Sequence, residues 1–200
     1  MKGELALGKL AVLPKRWDVL DANDEACKFR INIDVLNEAF GVGRSMFPKA
    51  CYPDRKGDSF SGNKPGDRFI IWMPKLYSNS SEWKNSLYMG GVEIHEDAEE
   101  SRHEDWTDIG KHELSVLRLV FVKPDPKSPY RFIGVYKTGK MKHLHHTYER
   151  IATKVRLIGN PVHSIELLDD FRSYSLQQLE KSGSPVRDGA RGWRRLRTRR

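Results

Sequence analysis

The chain has 200 residues, a formal net charge of +8, 38% hydrophobic and 31% charged residues. That fits one domain, or one domain with an appendage. No apolar run approaches the ~20 residues needed to span a bilayer, the N-terminal MKGELALGKLAVLPKRW lacks the long apolar core of a secretory signal, and two cysteines, Cys27 and Cys51, are too few for a disulfide scaffold or a cysteine-rich zinc site. A membrane-spanning protein, a secreted mini-protein and a coiled coil are set aside. The reading places the chain in the cytoplasm.

In chain order, Leu5–Leu7 and Leu10–Leu13 flank Gly8 and suggest a hairpin. Residues 27–33 alternate, with Cys27, Phe29, Ile31 and Ile33 on one side, which predicts a half-buried strand. Asp34 is placed to cap a short helix carrying Val35, Leu36, Ala39 and Phe40, stopped by Gly41. A polar stretch, 41–67, reads as a long loop. Phe69–Met73 (FIIWM) predicts a core strand ended by Pro74. Ser78–Ser81 reads as a turn, Val92 and Ile94 as a strand, and 95–113 as an acidic loop. Leu114–Val122 and Tyr130–Lys137 predict two more strands, with Gly134 marking a bulge or a close approach. Residues 148–158 predict the last strand, with Ile151, Thr153, Val155 and Leu157 inward and Arg150, Ala152, Lys154 and Arg156 outward. Ser164 is placed to cap a helix over Ile165, Leu167, Leu168 and Phe171, and a second short helix follows Ser175. The expected fold class is α+β, mainly an antiparallel β-barrel with a few short helices. It spans residues 1–172, and 173–200 form a short helix and a disordered Arg-rich tail.

Charge is spread unevenly. Residues 182–200 hold seven Arg against one Asp, and 123–156 hold nine Lys or Arg against Asp125 and Glu149. Residues 93–108 hold eight acids against Arg102. A basic face beside an acidic segment favours a polyanion, and nucleic acid is the usual one. The phosphate-contact candidates are Arg131, Lys137, Lys140, Lys142, Arg150, Lys154 and Arg156, with Arg194, Arg195 and Arg197 in the tail. Trp83 and Trp106 sit in polar contexts, SSEWKN and HEDWTD, where a core residue is unexpected. With Tyr136 they are the candidates for stacking on a splayed or flipped base. Trp72, inside FIIWM, reads as core.

Other constellations point to catalysis more weakly. His95-Glu96-Asp97 and His103-Glu104-Asp105 repeat the triplet HED. The triplets offer metal-ligand chemistry, but in a segment read as a solvated loop. His143, His145, His146, Asn160 and His163 resemble an HNH nuclease in order but not in spacing. Asp54, Glu82 and Lys84 fit the nuclease pattern PD-(D/E)xK on paper, where two acids hold Mg²⁺. No P-loop, Rossmann glycine fingerprint or GxSxG elbow is present. The reading therefore assigns no catalytic residue, no metal and no cofactor, and favours binding over catalysis.

From Asp67 to Gly159 the order RFIIWMPK, EWKN (read as a Trp-Asn turn), GVEIHE, LSVLRLVFVKP, YRFIGVYK and YERIATKVRL resembles β-rich modules of prokaryotic restriction systems. It is similar to the PUA-like group, which includes SRA, EVE and related barrels. The acidic 93–108 segment and the Arg-rich tail are departures. The resemblance implies a nucleic-acid-binding domain, DNA first, that reads a modified base by flipping it into an aromatic pocket, with a nuclease or helicase as partner subunit. The alternatives are a metal-dependent nuclease of restriction type and a non-catalytic subunit binding RNA or an acidic partner.

The charge pattern makes a numerical prediction. If roughly six phosphates are neutralised, log Kd for duplex DNA against log salt should change with a slope of about 5 in magnitude. Titrations between 50 and 200 mM salt check it, and a flat affinity would remove the polyanion reading.

Overall fold

The structure, a computed structural model, describes residues 14–48, 50–53, 68–77, 83–100, 114 and 116–170. Two β-sheets account for most of it. The large sheet runs in the order β3 (Cys51–Tyr52), β4 (Phe69–Trp72), β7 (Leu117–Val122), β8 (Tyr130–Lys142), β9 (His145–Ala152), β6 (Glu93–Ala98), β5 (Trp83–Tyr88), and β2 (Lys28–Phe29) also pairs with β8. The small sheet is β1 (Val19–Asp21), β10 (Lys154–Gly159), β11 (Val162–Leu167). All pairings are antiparallel except β4 with β7. That parallel pair departs from the mainly antiparallel arrangement expected from sequence. FIIW and LRLVFV are near-continuous apolar runs, which suit strands covered on both faces. Among the described residues the pairing of the large sheet does not close on itself, so the architecture is mainly β without a demonstrated barrel.

One face of the large sheet meets β1, β10 and the segment from Asn32 to Phe40. Phe121 is the centre of this core. Its ring lies 5.5 Å from Phe29 and 5.2 Å from Phe132, and Phe40 packs edge-on at 6.1 Å. All four rings are buried, and truncating one to Ala should cost about 3–5 kcal/mol.

Several local expectations are corrected. The strand expected over 27–33 is only β2, because helix α1 (Asn32–Asp34) starts after an extended Ile31 and continues as a π-helical turn, Val35–Ala39. Asp34 lies within this helix and is not its cap. Gly41, just beyond it, does adopt the left-handed φ of 65° expected of a stop. The acids expected in a loop begin on β6, and EWKN runs into β5 rather than a turn. These acids pair on one side with the neighbouring β5, across a tight turn, and on the other with β9, which lies far away in sequence.

The single strand expected over 148–158 is broken at Thr153. There Asp169 accepts hydrogen bonds from the backbone N–H of Thr153, at 3.0 Å, and of Lys154, at 2.8 Å. The chain leaves the large sheet at this clamp and enters the small one. An irregularity beside Ile151 shifts the phase as well, so Ala152, expected outward, is fully buried. The helix expected after Ser164 is β11, with Ile165 registered against Leu157 and Ser164 against Ile158. Apolar residues at two-residue spacing in that segment satisfied the strand. Residues 1–13, most of the 41–67 loop, 101–113 and the tail from 171 lie outside the described residues.

Gly134 meets its expectation. Its φ is 133°, and a Cβ there would lie 2.6 Å from the Ala152 carbonyl oxygen and 2.7 Å from Arg150 Cδ. Gly134→Ala should therefore force β8 and β9 apart and cost about 2–4 kcal/mol. Thermal melts should show a fall in Tm of about 10 °C. An unchanged Tm would mean that the two strands can separate here at no cost.

Candidate nucleic-acid interface

The second face of the large sheet carries residues that a simple core would not use. Register places Trp72, Arg118, Val120, Tyr136, Tyr148, Arg150, Ile94 and Glu96 on it, and Trp83, Asn85 and Leu87 extend it along β5. Trp72, Ile94, Val120, Val122, Tyr136 and Tyr148 form a buried cluster separate from the main core. Arg118 and His146, each 2% exposed, are the buried charged or polar side chains of the described residues.

Tyr148 ties the set together. Its ring lies 4.7 Å from that of Trp72, and the Arg118 guanidinium sits 4.5 Å above its ring. Its hydroxyl donates to Glu96 Oε2 at 2.8 Å. Arg118 also donates to Thr138 Oγ1 at 2.9 Å and to the Val116 carbonyl at 3.2 Å. Burying a guanidinium and an imidazole is costly unless each is well satisfied. Burial, followed by the nearby charges of Arg118 and His145, pushes the His146 pKa down to about 4. His146 is therefore a neutral ring at physiological pH, with one nitrogen to donate and one to accept. At the β5 edge, Trp83 and Asn85 are half-buried. Asn85 Oδ1 is buried with no hydrogen-bond partner among the described residues. Aromatic rings, a carboxylate and a neutral imidazole are thus packed together on one sheet face, with Glu96, Trp83 and Asn85 half-buried at its rim.

The expected phosphate ligands divide into two groups. Arg131 is paired with Glu25 at 2.8 Å, Lys154 with Asp21 at 2.8 Å, and Arg156 with Glu166. The hydrogen bond and charge of Asp21 raise the Lys154 pKa above its ordinary value. Arg150 is half-buried and donates to the Ile133 carbonyl at 3.2 Å. Lys137, Lys140 and Lys142 share the distal half of β8, Lys140 and Lys142 are exposed, and none of the three has an ion-pair partner among the described residues. Arg194, Arg195 and Arg197 lie outside the described residues.

Of the expected stacking residues, Trp83 lies at the edge of the second face, and Trp106 lies outside the described residues. Tyr136 is not an exposed platform. It is fully buried, its hydroxyl donates to the Gly91 carbonyl, and burial pushes its pKa up.

The catalytic constellations are not assembled among the described residues. Strand alternation sends Glu96 to the second face and His95 and Asp97 to the opposite one, where they pair with Glu93 (3.0 Å) and His145 (2.6 Å). No group of three or more His, Cys, Asp or Glu with metal-binding geometry occurs among the described residues. His103, Glu104, Asp105, Asp54 and Glu82 lie outside them, while Lys84 is registered opposite Asp97. His143 pairs with Glu100 at 3.3 Å, whereas Asn160 and His163 sit at the β10–β11 turn of the other sheet. The sequence reading missed Arg118, Tyr148, Glu96 and His146 as a set. One signal was available: Arg118 is the lone charge in LSVLRLVFV, a run otherwise apolar enough to be buried throughout.

His146 makes the fold pH-dependent with a defined sign. The unfolded imidazole protonates near its ordinary 6.5, and the folded one only near 4. Its contribution is thus fully present above about pH 6.5 and is lost as pH falls toward 4, about 3 kcal/mol in total. Melts from pH 7 to 5 should show a falling Tm, and His146→Gln should flatten that fall.

Comparison with known proteins places this architecture. No curated protein matches the chain. Among solved structures it is similar to the 5-hydroxymethylcytosine-specific restriction enzyme AbaSI, with 21% identity and a TM-score of 0.50, over 70% of this chain and 42% of that one. The chain thus spans less than half the length of that enzyme. The family model of the SET and RING associated domain matches residues 18–157, from the edge of β1 into β10, and so takes in the whole of the second face. The chain belongs to the SET and RING associated (SRA) family of PUA-like, DNA-binding readers of modified bases.

Proposed function

We propose that the chain reads a cytosine modified at C5, extruded from the duplex and held against the second face of the large sheet, as part of a restriction system. The observation that carries this is the buried Arg118–Tyr148–Glu96 network on a sheet face separate from the main core. Glu96 accepts from an exocyclic amine and Trp83 closes over the base from the edge, while the buried Trp72 and Tyr148 rings back the face and hold Glu96 in place. The likeness to a 5-hydroxymethylcytosine-specific enzyme supports the choice of base. Lys137, Lys140 and Lys142 hold the flanking phosphates, with Arg194, Arg195 and Arg197 adding affinity from the tail. Residues 1–172 form the domain, its large sheet is part of a PUA-like barrel, and it works in the cytoplasm beside a nuclease or helicase module.

The test is a set of duplexes differing in one base: cytosine, 5-methylcytosine or 5-hydroxymethylcytosine. The wild-type chain should prefer a modified duplex, and equal affinity for all three would end the proposal. Trp83→Ala should erase about 1–3 kcal/mol of that preference with little change in Tm. Glu96→Gln should do the same while preserving size. Trp72→Ala, by contrast, should cost about 3–5 kcal/mol of stability.

The phosphate assignment is checked separately. Replacing Lys137, Lys140 and Lys142 together by Ala should weaken all three duplexes about equally and reduce the salt slope by about 3 in magnitude. Because Arg131, Lys154 and Arg156 are paired with acids, replacing them should change the slope much less.

A further inference from the structure

Two lysines are held side by side where β4 and β7 end. Lys75 and Lys123 face each other in a parallel bridge. The backbone fixes the pair: Lys123 N–H donates to the Pro74 carbonyl at 3.1 Å, and Leu76 N–H to the Lys123 carbonyl at 3.0 Å. Like charges directly opposite one another are destabilising, and both residues are half-buried, which weakens their hydration. Neither has an ion-pair partner among the described residues. Asp125 feels the Lys123 charge, but its carboxylate accepts from the Ser128 hydroxyl and from the N–H groups of Lys127 and Ser128. Glu25, across from β8, is taken by Lys28 and Arg131.

Two tyrosines complete the cluster. Lys123 Nζ lies 5.6 Å from the Tyr130 ring centroid, and Lys75 Nζ 6.0 Å from that of Tyr77. Tyr130 is only 4% exposed, yet neither its hydroxyl nor that of Tyr77 makes a hydrogen bond among the described residues. A hydroxyl taken from water without a partner is costly. Burial, followed by the neighbouring Tyr77, pushes the Tyr130 pKa up to about 12, so this hydroxyl keeps its proton as a donor. Two ammoniums and two hydroxyls are thus grouped with no acceptor bonded to them among the described residues. Tyr130 belongs to the main core, and Leu76, between Lys75 and Tyr77, packs against the second-face cluster. The donors therefore lie away from the base-reading face, at the opposite end of β8 from Lys142. Lys137 is roughly 20 Å away along the strand.

We propose that Lys75, Lys123, Tyr77 and Tyr130 bind a phosphate monoester, at a site separate from the one that reads the base. Two ammoniums match the nearly two negative charges of a monoester at neutral pH, whereas a backbone phosphodiester carries one. Lysine binds phosphate as a point charge, and tyrosine hydroxyls donate to phosphate oxygens. A monoester has three free oxygens to accept from them. Its binding also removes the repulsion between the two lysines. Two carriers share this chemistry: a free nucleotide, and the phosphorylated 5′ end of a DNA strand. The site is independent of the modified-base reading.

The experiment is calorimetric titration with inorganic phosphate, deoxyadenosine monophosphate, and an unmodified DNA strand ending in a 5′-phosphate or a 5′-hydroxyl. Wild type should bind inorganic phosphate. Lys75→Gln and Lys123→Gln should each bind it roughly tenfold more weakly, and Tyr130→Phe about threefold more weakly. Tyr130→Phe keeps the ring in the core, so its Tm should stay near that of wild type. Replacing Lys137, Lys140 and Lys142 together by Ala should leave phosphate binding unchanged. A nucleotide bound more tightly than inorganic phosphate identifies the free nucleotide as carrier. A phosphorylated strand preferred over its hydroxyl twin identifies the strand end. No binding of inorganic phosphate, equal binding by wild type and both lysine variants, or no gain with either carrier would overturn the site. Preference among cytosine, 5-methylcytosine and 5-hydroxymethylcytosine duplexes should be the same in wild type and all three variants, so either proposal can fail without the other.

Discussion

Arg118 is the constraint on which the second face depends. A guanidinium at 2% exposure has to be surrounded by groups that recover much of its lost hydration. The Tyr148 ring, the Thr138 hydroxyl and the Val116 carbonyl contribute to this from three strands or their ends. Each partner is thereby held in one orientation. With its ring fixed beneath the cation, Tyr148 directs its hydroxyl at Glu96, and the carboxylate is positioned in turn. Buried polar networks of this kind specify one arrangement even where they add little net stability. A binding surface gains from this because its donors and acceptors are set before the ligand arrives.

The two faces of the large sheet thus do different work. On one, phenylalanines meet edge to face around Phe121 and supply the apolar burial that holds the sheets together. On the other, the same strands present a mixed aromatic and polar surface. β7 shows the division within six residues. Leu119 and Phe121 enter the first core, and Arg118, Val120 and Val122 face the second. The second surface can tolerate polar residues because the first carries most of the apolar burial.

Strands with a strong apolar signal were legible from sequence alone. FIIWM, LSVLRLVFV and YRFIGVYK fall on β4, β7 and β8, and Gly134 marks the close approach its position suggested. Sequence misled where the deciding partner is remote. β6 is rich in acids and reads as a loop, yet beyond its hairpin with β5 it pairs with β9, tens of residues away. The β-strand after Ser164 reads as a capped helix because capping chemistry is local, whereas its pairing with β10 is not. The basic residues show the same limit. Arg131 and Lys154 look available until Glu25 and Asp21 are brought beside them by the fold. Tyr136 was a stacking candidate as an aromatic ring beside basic strands, but it is buried and its hydroxyl is taken by the Gly91 carbonyl. Trp83, set in the polar SSEWKN, lies half-buried at the edge of the second face.

The Asp169 clamp has a mechanical consequence. Its carboxylate holds the backbone at Thr153 and Lys154, where the chain passes from one sheet to the other, and it stands at the end of the described chain. The covalent tether to whatever follows residue 170 therefore starts at the junction between the two sheets. Tension on that tether, from an attached module or a bound strand, would load the junction directly. The domain thus has a built-in point at which force or attachment on its C-terminal side is felt by β9, the strand that carries Tyr148 and His146.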